Sequence, residues 1–143
     1  MIVVSQYDEI LQYAAQRGAT SILSLESIHG LSYSIKAAVN YLNTLEKPFR
    51  MIFMVADQPY ISMNTIDKLM HTKHKLASCA YKEKAGNPTL FDSSYIPELL
   101  LLKEDQGGRK VLNKHPDEVE YIQVENVKEL YDIDYQEDLK QLQ

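Results

Sequence analysis

The 143-residue sequence contains one cysteine, Cys79, with only five glycines and five prolines. A single cysteine excludes an intramolecular disulfide and a thiolate zinc cage, and a reducing cytoplasm is the simplest setting. No apolar run approaches the roughly 18 residues needed to cross a bilayer. Met1 to Gln6 turns polar early and has no basic n-region, so it does not read as a secretory signal. Positive charge is also scarce, and the formal net charge is −5. An acidic chain without a basic cluster is a poor candidate for duplex nucleic acid. Internal repeats, low-complexity stretches and Gly-rich phosphate loops of the Walker or dinucleotide type are missing as well.

The composition that remains is that of a globular protein. Hydrophobic residues make up 45% and charged residues 24%, enough apolar surface to offset chain entropy. The length suits one domain over residues 1–143. The charge is unevenly placed. From Asp117 to Gln143 nine acids face only Lys128 and Lys140, a net −7, which leaves +2 on residues 1–116. Such a tail is ordinarily a solvated surface, unless some of its acids hold a divalent metal.

Strand and helix patterns alternate along the chain. Ile2-Val3-Val4 is a β-branched run, with Ser5 placed to cap a helix that Gly18 ends. Residues 20–25 read as a second strand. Leu31, Ile35, Ala38, Leu42 and Leu45 then mark one helical face. Residues 49–56 are nearly continuous apolar sequence, as in a central parallel strand covered on both faces. Helix is predicted over 62–73, 93–102, 109–115 and 135–142. Strand is predicted over 76–81, 88–91 and 119–124, with a turn over 82–87. This order predicts an α/β fold with three layers and a mostly parallel sheet.

In such sheets ligands bind beyond the carboxyl ends of the strands. Asp57 is delivered there by the apolar run before it, and Pro59 enforces the end of the strand. The alternative role for Asp57, capping the helix near Ser62, places it five residues too early. In Asp132-Ile133-Asp134, an extended backbone turns both carboxylates to the face opposite Ile133. Asp134 also suits a cap for the last helix, with Glu137 completing a capping box. Carboxylates converging from two loops would suit Mg²⁺ completed by substrate phosphates. Gly30, Ser32 and Ser34 open a helix where backbone N–H groups, hydroxyls and Lys36 could hold an anion. Gly86-Asn87-Pro88 and Asp105-Gln106-Gly107-Gly108-Arg109 are the other polar, glycine-containing loops. Arg109 suits either a phosphate or a pair with Asp105. His71 and His74 lack a third ligand, and Cys79 in a β run suits a small core residue.

In order, Gly30-Leu31-Ser32-Tyr33-Ser34-Ile35-Lys36, Ala56-Asp57-Gln58-Pro59-Tyr60, Gly86-Asn87-Pro88-Thr89-Leu90-Phe91, Asp105-Gln106-Gly107-Gly108-Arg109 and Asp132-Ile133-Asp134-Tyr135-Gln136-Glu137-Asp138-Leu139 resemble one family. They look like the molybdenum cofactor nucleotidyltransferases, particularly the cytidylyltransferase branch that accompanies molybdenum hydroxylases. The resemblance implies a Rossmann-like nucleotidyltransferase fold. It implies Mg²⁺-dependent transfer of a nucleoside monophosphate, CMP from CTP foremost, to the terminal phosphate of molybdopterin, releasing pyrophosphate. By the same resemblance Asp57 is the catalytic metal aspartate, joined by Asp132 and Asp134. Gly30, Ser32, Ser34 and Asp57 fall on the nucleotide side. Gln58, Pro59, Gly86, Asn87, Pro88, Gly107, Gly108 and Arg109 fall on the acceptor side.

Two departures from the family pattern stand out. The family's opening strand and Leu-Ala-Ala-Gly-x-Ser-x-Arg-Met-Gly loop have no counterpart in these residues, and Ile2 to Val4 resembles the family's second strand. At Glu104-Asp105 the family usually has Gly-Asp. Phosphoryl transfer depends on positioning and charge neutralisation, so a chain without that loop is expected to be impaired on its own. The first strand would be central in the sheet, and its absence exposes two strand edges. Three functions follow as expectations: a nucleotidyltransferase impaired in this chain, a pterin-cofactor-binding or chaperone module, and half of a split or strand-donating oligomeric enzyme.

Overall fold

A computed structural model of the chain describes residues 1–135, 137 and 138. It divides into two compact units, Met1–Phe49 with Ser93–Lys114 and Arg50–Asp92 with His115–Gln143. The helix predicted over 135–142 lies largely outside the described residues.

The first unit opens with a strand–helix–strand repeat. β1 (Ile2–Ser5) and β2 (Thr20–Leu23) pair in parallel, with Ile2 opposite Thr20. Parallel pairing requires a crossover, supplied here by α1 (Asp8–Gln16), which buries Leu11 and Ala14. α1 ends where the sequence predicts. Gly18 has φ of 78°, and the N–H groups of Gly18 and Ala19 donate to the carbonyls of Ala15 and Ala14 at 2.9 and 3.1 Å. These two bonds form a Schellman cap, with glycine in the left-handed position that a Cβ would penalise. Ser5 departs from expectation. It is the last residue of β1, and its hydroxyl accepts the N–H of Tyr7, which itself holds the N-cap position.

A 3-10 turn over Leu25–His29 precedes α2 (Leu31–Leu42), whose buried face is Ser32, Ile35 and Val39. α2 packs on α4 (Ile96–Leu100), where Leu99 is fully buried. Between them the backbone comes unusually close. A Cβ on Gly30, whose φ is 133°, would lie 2.4 Å from the Glu104 carbonyl carbon. The Ser32 N–H donates to the Glu104 carbonyl at 3.0 Å, which holds this approach. Glu104 has φ of 51°, the left-handed region where a side chain crowds its own backbone. The departure from Gly-Asp at Glu104-Asp105 therefore falls where glycine would be relaxed. α5 (Arg109–Leu112) is shorter than the predicted helix and buries Val111 and Leu112.

The second unit is built on a mixed four-stranded sheet in the order β3-β5-β4-β6. Its strands are β3 (Arg50–Phe53), β4 (Leu76–Tyr81), β5 (Lys84–Asp92) and β6 (Val119–Gln123). β4 and β6 are parallel, whereas β5 is antiparallel to both β3 and β4. The β1–β2 sheet of the first unit is parallel, so the α/β class holds while parallel pairing is shared with a central hairpin. The expected turn over 82–87 shrinks to Lys82-Glu83, with Lys82 at φ of 55°, and Gly86-Asn87-Pro88 lies inside β5 instead of in a loop. A two-residue hairpin explains this: pairing resumes as soon as the chain has reversed, with Tyr81 opposite Lys84 and Ala80 opposite Ala85. β3 pairs with β5 alone among the described residues. Within β3 only Met51 is buried, so the apolar run is neither a parallel strand nor one covered on both faces.

α3 (Met63–His71) packs on β4, β5 and β6. The core there comprises Leu69, Ala77, Cys79, Leu90, Ile122, Val124 and Leu130. Burial pushes the Cys79 thiol up to about 12, with the charge of Glu129 adding to it, so this cysteine behaves as a core residue. Both ends of α3 are tied down. The guanidinium of Arg50 donates to the carbonyls of Met70 and Thr72 at the C-terminal end. At the N-terminal end the Ser62 hydroxyl accepts the Thr65 N–H at 3.1 Å.

Glu129 completes that N-terminus. The acidic tail is expected to be solvated, yet Glu129 is only 4% exposed. Its carboxylate accepts the Ser62 N–H at 3.0 Å and the Thr65 hydroxyl at 2.6 Å. Burial pushes this carboxyl up, but the hydrogen bonds from Thr65 and Ser62 outweigh it and hold the group below its ordinary value. Among the described residues no helix is long and apolar enough to cross a membrane.

Glu129→Ala takes the acceptor from the Ser62 N–H and from the buried Thr65 hydroxyl. Urea unfolding at pH 7 should show a loss of about 1–3 kcal/mol. Because the folded pKa is depressed, the contribution is full above the unfolded glutamate value of about 4.3 and fades as pH falls through the folded value. The gap between wild type and Glu129→Ala should therefore close below about pH 4. For the Gly30 contact, Gly30→Ala should unfold at clearly lower denaturant. Glu104→Gly should gain up to about 1 kcal/mol, left-handed strain being relieved against glycine's extra unfolded-state entropy.

Candidate functional site

Asp57 follows β3 by four residues, in the connection that leads to α3. Ser62 caps α3 itself, so capping does not account for Asp57. Two hydrogen bonds fasten this connection to the segment after Leu130. The Ile133 N–H donates to the Asp57 carbonyl at 2.8 Å, and Gln58 Nε2 donates to Asp132 Oδ1 at 2.8 Å. Both aspartates are exposed, whereas Gln58 between Asp57 and Pro59 is buried. The loops carrying the two carboxylates are thus held side by side by their own backbone and by one side-chain amide.

What holds the Asp132 loop is a pair of anchors immediately before it. Glu129 is bound at the α3 N-terminus, and Leu130 is 5% exposed in the core. Leu130 packs on Gly86 of β5, where an added Cβ would lie 3.1 Å from Leu130 Cδ2. The glycine of the Gly-Asn-Pro segment thereby gives Leu130 room to seat, while Pro88 is fully buried and the Gly86 carbonyl accepts the Ser78 hydroxyl at 2.8 Å.

Beside these anchors lies a cleft of about 260 Å³, lined among others by Tyr60, Lys84, Tyr131, Asp132, Asp134 and Asp138. Three carboxylates to one ammonium make it acid-rich. A phosphate entering such a cleft is repelled unless a cation accompanies it. Among the described residues no three His, Cys, Asp or Glu side chains form a metal cage. Mg²⁺ rarely needs one. It is held by one or two carboxylates and completed by water and substrate phosphates, and the donors here fit that pattern. Asp138 also shapes the loop, its carboxylate accepting the N–H groups of Asp134 and Tyr135 at 3.2 and 3.0 Å. At the described residues the back-reaching half of the capping box expected between Asp134 and Glu137 is supplied by Asp138 instead.

The remaining candidates divide between the units. Gly86, Asn87 and Pro88 belong with Asp57, Gln58, Pro59, Asp132 and Asp134 in the second unit; Gly30, Ser32, Ser34, Gly107, Gly108 and Arg109 belong to the first. Ser32 is fully buried, with its N–H on Glu104 and its hydroxyl unpaired. The Ser34 hydroxyl donates to Ser27 Oγ at 2.7 Å. An added Cβ at Gly107 would lie 3.0 Å from Leu31 Cδ2, and Arg109 is exposed at the start of α5. Within the first unit, the Gly-Leu-Ser segment and the loop before Gly-Gly-Arg are neighbours through Glu104.

Sequence reasoning passed over Lys84, Tyr60 and Tyr131, which line the cleft, and Glu129, which anchors it. Lys84 and Glu129 look like ordinary surface charges in sequence. The one local signal was Val127 and Leu130 bracketing Glu129, a hint that the acidic tail dips into the core.

Residues 1–119, a stretch that runs through both units, match the family described as the MobA-like NTP transferase domain. No curated protein matches the sequence. Solved structures do. Rv0371c from Mycobacterium tuberculosis shares 19% identity over 99% of this chain and 73% of its own, with a TM-score of 0.79. It has also been solved as a complex with manganese. A nucleotidyl transferase from Methanothermobacter gives 15% identity, 99% and 70% coverage and a TM-score of 0.78. The molybdopterin-guanine dinucleotide biosynthesis protein A of Archaeoglobus fulgidus gives 18% identity, 98% and 75% coverage and a TM-score of 0.64. At these identities the structures establish a shared fold, the Rossmann-like nucleotidyltransferase fold. With the family match extending over residues 1–119 of 143, the chain belongs to the MobA-like NTP transferases.

Proposed function

We propose that this chain serves transfer of a nucleoside monophosphate, CMP from CTP foremost, to the terminal phosphate of a molybdopterin-type acceptor, with release of pyrophosphate. The observation that carries this reading is the fastening of the Asp57 and Asp132 loops beside an acid-rich cleft in an NTP transferase. The acceptor reacts through a phosphate oxygen. A phosphate monoester has its second pKa near about 6 and is already ionised at neutral pH, so no side chain need remove a proton. The new bond forms between that oxygen and the α-phosphorus. The bond from the α-phosphorus to the bridging oxygen breaks, and pyrophosphate leaves with the electron pair.

With no proton to move, the residues position and neutralise. Asp57 and Asp132 would hold a divalent cation, Mg²⁺ by resemblance, with Asp134 on the cleft wall; the manganese complex of the mycobacterial structure supports such a site. That cation would supply charge neutralisation at the phosphates. Lys84 offers an ammonium to the acceptor phosphate from across the cleft, and Tyr60 and Tyr131 offer aromatic surface to a planar ring. In the second unit Gln58 and Pro59 would shape the acceptor side, with Gly86 seating Leu130 behind the cleft. Gly30, Ser32 and Ser34 shape the helix start on the nucleotide side. The product would serve a molybdenum hydroxylase.

Transfer of label from α-labelled CTP to molybdopterin, with Mg²⁺ or Mn²⁺, tests the reading. Asp57→Asn and Asp132→Asn should each lower turnover about 100-fold or more. Lys84→Gln should raise the acceptor KM more than it lowers kcat, the mark of a binding contact. Calorimetry should also show binding of the phosphorylated acceptor. Absence of both acceptor binding and label transfer from any NTP would refute the proposed function.

A further inference from the structure

Gln58 is set apart from its neighbours by burial. Asp57 and Pro59 are exposed, but Gln58 is 9% exposed. Its Nε2 donates to Asp132 Oδ1 at 2.8 Å, and its Oε1 is buried without a hydrogen-bond partner in the protein. The orientation is dictated by chemistry: the reversed amide would set a carbonyl oxygen against a carboxylate oxygen. Hydrogen bonding therefore engages the NH₂ end and leaves the oxygen unsatisfied. A residue whose role was to contact an acceptor would turn a polar end outward.

We propose that Gln58 is a positioning residue for Asp132, occupying Oδ1 so that Oδ2 is the oxygen presented to a divalent cation. This rests on the carboxylate-bound cation of the proposed function, and it moves Gln58 from the acceptor side to the support of the metal site. The bond is charge-assisted and fixes the carboxylate's rotation, which the exposed Asp132 would otherwise sample freely. The backbone bond from Ile133 to Asp57 sets the loop spacing, and Gln58 sets the direction of one ligand within it. Such support from outside the ligand set commonly tunes metal affinity.

Gln58→Met tests this. Methionine keeps the length and apolar stem and removes both the donor and the unsatisfied oxygen, so the metal-free thermal midpoint should hardly move. Mn²⁺ affinity, read on the full chain from the free Mn²⁺ electron paramagnetic resonance signal, should weaken roughly 10-fold. In Asp132→Asn, already weakened, adding Gln58→Met should change Mn²⁺ affinity no further. Wild-type affinity in Gln58→Met, alongside clear losses in Asp57→Asn and Asp132→Asn, would overturn the positioning role and leave the metal site standing. A wild-type chain that does not bind Mn²⁺, or binds it unchanged in both aspartate variants, would overturn the metal site and this role with it. Should Gln58→Met fold poorly, the Gln58 side-chain amide resonance of the wild-type chain decides. It should move with Mg²⁺ along the binding isotherm, and indifference to Mg²⁺ would refute the positioning role.

Discussion

The candidate site depends on one buried carboxylate. Glu129 is removed from water and kept ionised by the groups at the start of α3: the Ser62 N–H and the Thr65 hydroxyl. Isolated burial of a carboxylate is costly, and it is tolerated here because a helix N-terminus presents donors and the positive end of its dipole. Its consequence reaches down the chain. With Glu129 held and Leu130 seated over Gly86, Tyr131, Asp132 and Ile133 have little choice of path. Asp132 then meets Gln58, and Ile133 meets Asp57. A structural carboxylate thus places the exposed ones.

The same arrangement separates two uses of acidic residues within one short stretch. Glu129 has its charge matched inside the protein. Asp132, Asp134 and Asp138 border a cleft that Lys84 also lines, so their charge is matched only in part. Charge left uncompensated at a cleft is what a cation-bridged phosphate ligand relieves. In the first unit the comparable constraint is steric: Gly30 lets the start of α2 approach Glu104, and the Ser32 N–H fixes it there.

Much of the fold was legible from periodicity and punctuation. β4 spans residues 76–81 as predicted, α3 and β6 lie within a residue or two of expectation, and Gly18 ends α1 with the cap its position implied. The misplaced pieces share a cause. Ser5, the turn over 82–87 and the 49–56 strand were read from local chemistry, whereas each was decided by pairing. The hairpin at Lys82-Glu83 restores β pairing so early that Gly86-Asn87-Pro88 becomes strand. Within the candidate site, Asp57 stood out as a carboxylate after an apolar run, and Asp132 and Asp134 as a pair in an extended segment. Gln58 was legible only as part of a motif, and its partner lies 74 residues away. Lys84 carried no local mark, and Glu129 only its apolar neighbours Val127 and Leu130.

The sequence by itself determined the alternation of strand and helix, the family and the positions of the acidic residues, because these follow from hydrophobic period, turn chemistry and motif order. Tertiary structure alone decided which acid is buried and which exposed, where Gly86 sits, and that Gln58 turns inward to Asp132. Those outcomes depend on contacts between residues far apart in the chain. Desolvation and hydrogen-bond satisfaction act on such contacts, and neither is written in any local stretch of sequence.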